Sequence, residues 1–60
     1  MKPFEFRLNE ELVVKASGEG GIVIGRAEFS NKCNQYLLRY KANDGRAVES
    51  WWDEDALALA

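Results

Sequence analysis

In "QYLLRYK" (35–41) the polar and apolar positions of this chain change places every second residue, with Tyr36, Leu38 and Tyr40 on one side and Leu37, Arg39 and Lys41 on the other. Period-two alternation predicts a strand with one covered face and one face in water. "RAVESWW" (46–52) continues the pattern as the returning antiparallel strand, with Val48, Ser50 and Trp52 inward and Glu49 and Trp51 outward. Two further runs have strand length and composition. "ELVVKAS" (11–17) contains the β-branched pair Val13 and Val14, and "IVIGRAEF" (22–29) is interrupted by Gly25, where a bulge or bend is expected. A short closing strand is expected from "ALA" (58–60).

The segments between these runs read as turns. "GEGG" (18–21) is a flexible turn, "SNKCN" (30–34) a polar loop, and "ANDG" (42–45) the strongest hairpin signal in the chain, because Asn and Gly tolerate positive φ. At "DEDAL" (53–57) Asp53 could cap a helix that the following alanines and leucines favour. The remaining residues are too few for a stable lone helix, so one helical or 3-10 turn is predicted before the last strand. Residues 1–7 are expected to form an extended N-terminal segment. Five short strands in this order predict an all-β chain, a closed or nearly closed small barrel occupying residues 1–60 as one domain.

On these residues the chain resembles the SH3-like small barrels. The likeness covers roughly residues 8–60 and rests on the glycine-led second strand "GIVIGRAE", the "NDG" hairpin, the aromatic fourth strand and the turn "DEDAL". "GRAEF" with "CNQYL" and "SWWDEDAL" also look like short proteins encoded by tailed bacteriophages and prophages. "VVKASGEGGIVIG" is similar to the first two strands of the plasmid-borne type II dihydrofolate reductases, SH3-like barrels that act as tetramers around one central pore. That likeness implies a tetrameric reductase in which Lys15 stands where the family has its pore lysine and residues 49–52 line the pore. Where the family has a Val-Gln-Ile-Tyr strand for cofactor and substrate, this chain has Glu49, Ser50, Trp51 and Trp52, without the glutamine amide and with two bulky indoles.

Composition narrows the chemistry. A chain of 60 residues has room for one small domain, and 47% hydrophobic with 30% charged residues is a globular balance. Cys33 is the one cysteine and there is no histidine, so neither an internal disulfide nor a structural zinc site is expected, and a reducing cytoplasmic setting is the reading. No run approaches the roughly 20 apolar residues of a membrane span, and the N-terminus lacks a signal-peptide core. No cofactor is expected.

Without histidine the usual proton shuttle is missing, and a lone loop thiol at Cys33 reads as incidental. Asp53, Glu54 and Asp55 lack the spacing of a calcium loop and read as a solvated turn, and "GEGG" is followed by a strand where a phosphate loop needs a helix. A net charge of −2 argues against a surface built for phosphates. Arg26, Arg39 and Arg46 with Phe29, Tyr36 and Tyr40 are the residues a nucleic-acid interface would use, but alternation sends both tyrosines away from Arg39 and toward the core.

What remains are large apolar groups on the water side. Trp51 points outward beside Glu49, and with Val23 inward, Ile22 and Ile24 point outward as well, unless a bend at Gly25 returns Ile24 to the core. The sequence therefore leads to a non-enzymatic module that binds another protein or its own copies through Trp51, Glu49, Ile22, Ile24 and Arg39. The reductase and the nucleic-acid-binding barrel stand as alternatives.

Overall fold

The computed structural model describes residues 3–42 and 44–60. Strands β1 (Glu11–Val14), β2 (Gly20–Ala27), β3 (Gln35–Lys41), β4 (Ala47–Asp53) and β5 (Leu57–Leu59) form one antiparallel sheet in the order β4-β3-β2-β1-β5. A single 3-10 turn, Glu54–Ala56, separates β4 from β5. The all-β expectation and the turn before the last strand are both met. Among the described residues no helix is long and apolar enough to cross a membrane.

This connectivity forces the sheet to curl. In a flat sheet β4 and β5, at opposite edges, would stand four strand spacings apart, about 19 Å. The chain joins them through the 3-10 turn alone, and at about 2 Å of rise per residue it reaches less than half that distance. The turn is tied at both ends. Glu54 N–H donates to the Asn34 carbonyl at 2.9 Å, and Lys15 N–H donates to the Ala56 carbonyl at 3.0 Å. No ladder joins β4 to β5, so the rolled sheet keeps two edges.

Curvature also explains two glycines. The β2–β3 register slips between Val23 and Gly25, so Ile24 is the extra residue of a bulge and the expected irregularity beside Gly25 is present. Gly21 is buried where β3 crosses closely, and a Cβ there would meet the Arg39 carbonyl oxygen at 3.0 Å and Tyr40 Cβ at 3.1 Å. Gly20 and Gly21 therefore belong to β2 and not to the turn that "GEGG" suggested. The chain turns earlier, at residues 15–19, where Gly18 has φ 79° and its N–H donates to the Val14 carbonyl at 2.7 Å. At the β3–β4 hairpin Gly45 takes φ 90° and donates to the Ala42 carbonyl at 2.9 Å, while Asn43, part of the predicted turn, lies outside the described residues.

The core consists of Phe6, Leu12, Val14, Val23, Tyr36, Leu38 and Leu57, with Phe4, Tyr40 and Trp52 packed against it. Phe6 brings the N-terminal segment into this core. It is 3% exposed, and its ring meets Tyr36 edge-on at 5.2 Å, with Phe4 on the same tyrosine at 6.0 Å. Arg26 closes this corner from outside, its guanidinium 4.5 Å over the Phe4 ring and donating to the Phe6 carbonyl at 3.3 Å.

Burying a tyrosine is favourable only if its hydroxyl finds partners. Tyr36 has three. Its oxygen accepts from the N–H groups of Glu5 at 3.0 Å and Phe6 at 3.3 Å, and its proton goes to the Glu54 carboxylate. The same carboxylate oxygen accepts from Glu5 N–H at 3.2 Å and Asn34 Nδ2 at 3.5 Å, and Asn34 Nδ2 also reaches the Pro3 carbonyl at 3.4 Å. Glu54 is thus half-buried and structural rather than part of a solvated acidic turn. Its carboxylate joins the N-terminal segment, β3 and the 3-10 turn, three parts of the chain far apart in sequence.

Candidate functional site

The β3–β4 register sets the inward row. Tyr36 faces Trp52, Leu38 faces Ser50, and Tyr40 faces Val48, as alternation predicts. Trp52 is half-buried against the core, its ring 6.5 Å from Tyr40, so it covers the core without being enclosed by it. The alternate row faces water. There Ile22 pairs with Arg39 and Arg39 with Glu49, while Gly25 pairs with Leu37 and Leu37 with Trp51.

These registers set Trp51 beside Leu37, with Ile22 at the β2 end of the neighbouring Arg39–Glu49 row. Trp51 on β4 is 49% exposed, Leu37 on β3 is half-buried beneath it, and Ile22 on β2 is 37% exposed. Ile24, in the bulge, is half-buried and stands apart from the residues packed on the core. The Trp51 indole reaches so far across Leu37 that its Cη2 atom would lie 3.9 Å from a Cβ on Gly25. Polar pairs border Trp51 and Leu37 on both sides. On one, Arg39 Nη2 donates to Glu49 Oε2 at 2.7 Å, and on the other Gln35 Nε2 donates to Asp53 Oδ1 at 2.7 Å. Both members of the ion pair are well exposed, so its worth lies in holding the two side chains beside Trp51 more than in stability. Trp51, Glu49, Ile22 and Arg39 are brought together on one face, with Leu37 added to them. Leu37 was visible in the alternation as an outward apolar residue but was not singled out.

The residues of the nucleic-acid alternative are dispersed. Tyr36 is buried, Arg26 sits on Phe4, Arg46 pairs with Asp44 at 2.6 Å, and Phe29 lies 4.3 Å beneath the Lys32 ammonium. Lys15 is exposed just past the end of β1. Near the start of β3, ligand atoms of Cys33, Asp53 and Asp55 lie within 4.8 Å of one another. They could offer one sulfur and two oxygens to a cation, although Asp53 already accepts from Gln35 and both aspartates are exposed.

The backbone of β4 is also one-sided. Ala42 N–H donates to the Arg46 carbonyl and Glu54 N–H to the Asn34 carbonyl, and bonded pairs recur at every second residue of an antiparallel ladder. Val48, Ser50 and Trp52 therefore bond across to β3. Ala47, Glu49, Trp51 and Asp53 direct their N–H and C=O groups to the open edge, where no backbone group among the described residues meets them. Comparison with protein-family models, curated proteins and solved structures finds no match for this chain.

Proposed function

We propose that this chain is a small SH3-like barrel that acts without catalysis, as a module that binds a protein surface, its own copies included, through the outer face of β2, β3 and β4. One observation carries the reading. Trp51 and Leu37 lie side by side on the water side between the polar pairs Arg39–Glu49 and Gln35–Asp53, and exposed Ile22 stands at the β2 end of the Arg39–Glu49 row. An apolar centre with a tryptophan and a polar rim has the composition of a binding hot spot, and ordinary surfaces scatter such residues singly.

Sedimentation velocity over a concentration series, with acrylamide quenching of tryptophan fluorescence, tests this. Self-association that protects Trp51 and is lost in Trp51→Ala is the expected result. A chain that stays monomeric at every concentration, with Trp51 open to quencher throughout, removes self-association from the reading.

A further inference from the structure

We infer that the partner is a second copy of this chain, and that the two pair edge to edge, β4 against β4, through a two-fold axis at Ser50. The inference rests on the binding reading above and assigns it an occupant and a register.

The two sheet edges differ sharply. β5 offers three residues, whereas β4 offers seven consecutive ones, Ala47–Asp53, with no proline, lysine or bulge among them. Such an edge is a template for another strand, and proteins usually blunt or cover it. Its outward backbone groups belong to Ala47, Glu49, Trp51 and Asp53, the same residues whose side chains lie on the outer face. A strand added here is held by main-chain bonds and at once meets Trp51.

A two-fold axis demands that the strand complement itself, and charge selects the register. With the axis at Ser50, Ala47 opposes Asp53 of the copy, Val48 opposes Trp52, Glu49 opposes Trp51, and Ser50 opposes Ser50. The whole strand is then paired, with about eight new backbone hydrogen bonds, and no two like charges stand opposite. Moving the axis to Trp51 sets Glu49 against Asp53 twice, and moving it to Glu49 sets that carboxylate against itself. Shifts beyond these leave most of the strand unpaired. At the Ser50 axis the two Trp51 rings become diagonal neighbours, so the apolar patches of the two copies run together across the junction.

Cross-linking reads the register directly. In a Cys33→Ser background, Ser50→Cys places two thiols in a non-bonded pair about 4.5 Å apart at Cα, within disulfide reach. Ala47→Cys is more exposed, yet in this register its two copies stand about 20 Å apart. Under mild oxidation Ser50→Cys should become a disulfide dimer with an unchanged circular dichroism spectrum, while Ala47→Cys stays largely monomeric. Equal cross-linking of both variants, or none by a folded Ser50→Cys, overturns the inference. If the unmodified chain still associates and Trp51→Ala still abolishes it, the edge pairing alone has failed and the outer-face reading stands. If the unmodified chain is monomeric as well, the edge pairing has failed and self-association is removed from the outer-face reading.

Discussion

Trp51 on β4 spans β3 to reach Gly25 on β2, its Cη2 3.9 Å from the point a Cβ would occupy there. The exposed tryptophan is therefore half-covered, lying along the sheet over Leu37 instead of projecting into water. Removing it uncovers the glycine backbone and part of Leu37. Trp51→Ala is expected to remain folded with a loss of about 1–2 kcal/mol, the scale of a partly buried surface side chain. A thermal melt checks this, and complete unfolding would place Trp51 in the core.

The two glycines of β2 make opposite predictions. At Gly25 an added methyl meets Leu37 Cβ at 3.4 Å, an ordinary contact, and φ is not in the left-handed region. Gly25→Ala should be neutral or stabilising by up to about 1 kcal/mol, since it lowers the entropy of the unfolded chain. At Gly21 the methyl presses on a carbonyl oxygen at 3.0 Å, and backbone cannot rotate away. Gly21→Ala should cost about 1–3 kcal/mol. Urea unfolding of the pair checks the contrast, and equal effects would mean that β3 does not cross β2 closely at Gly21.

Phe6 ties the N-terminal segment into the core, although it precedes the first strand by several residues. Phe6→Ala should cost about 3–5 kcal/mol, the usual penalty for emptying a large aromatic site. A domain of this size has about that much to lose, so the variant should be largely unfolded at room temperature. Near-ultraviolet circular dichroism checks it, and a native spectrum would detach the segment from the fold.

The parts of this molecule that the sequence made legible are those governed by local alternation. Residues 35–41 and 46–52 pair in the register that their polar and apolar pattern implies, and so Trp51 could be placed outward from the sequence alone. Strand ends followed less well, because "GEGG" looks like one turn while only Gly18 turns and Gly21 answers to a strand that arrives from elsewhere. The Glu54–Tyr36–Glu5 node was not legible at all. Its members are distant in sequence, and an acidic triplet carries no mark showing which carboxylate will meet a buried hydroxyl. The apolar patch was half legible, since alternation gives a side chain's face but not how far an indole leans across its neighbours.

Tyr36 should titrate late. Burial, and then the hydrogen bond to Glu54, push its phenol above the ordinary value of 10, while the bonds from the Phe6 and Glu5 N–H groups pull the other way. Because the folded state holds this proton more tightly than the unfolded chain, the associated stability is present in full below pH 10. It is lost as pH rises from there toward the folded value. Absorbance titration of the phenolates should show a late component that disappears in Tyr36→Phe. That variant also leaves the buried Phe6 N–H without its partner and should lose about 1–3 kcal/mol at neutral pH. A titration curve identical before and after the substitution, apart from amplitude, would contradict the raised value.

Trp52 shows that an aromatic can belong to a core in shape and not in polarity. Its indole packs on the core and against Tyr40, yet its Nε1 atom is buried without a hydrogen-bond partner among the described residues. Tyr36 on the opposing strand has a full set of partners for its polar atom, and Trp52 has none. A buried donor left unpaired costs about 1–3 kcal/mol, so part of what the ring gains by covering apolar surface is cancelled. Phenylalanine keeps most of that coverage and removes the donor. Trp52→Phe should therefore change stability by no more than about 1 kcal/mol in either direction, whereas Trp52→Ala, which gives up the coverage itself, should lose about 3 kcal/mol or more. Urea unfolding of the two variants separates the contributions. If Trp52→Phe loses as much as Trp52→Ala, the indole N–H is paired in the folded chain and the prediction fails.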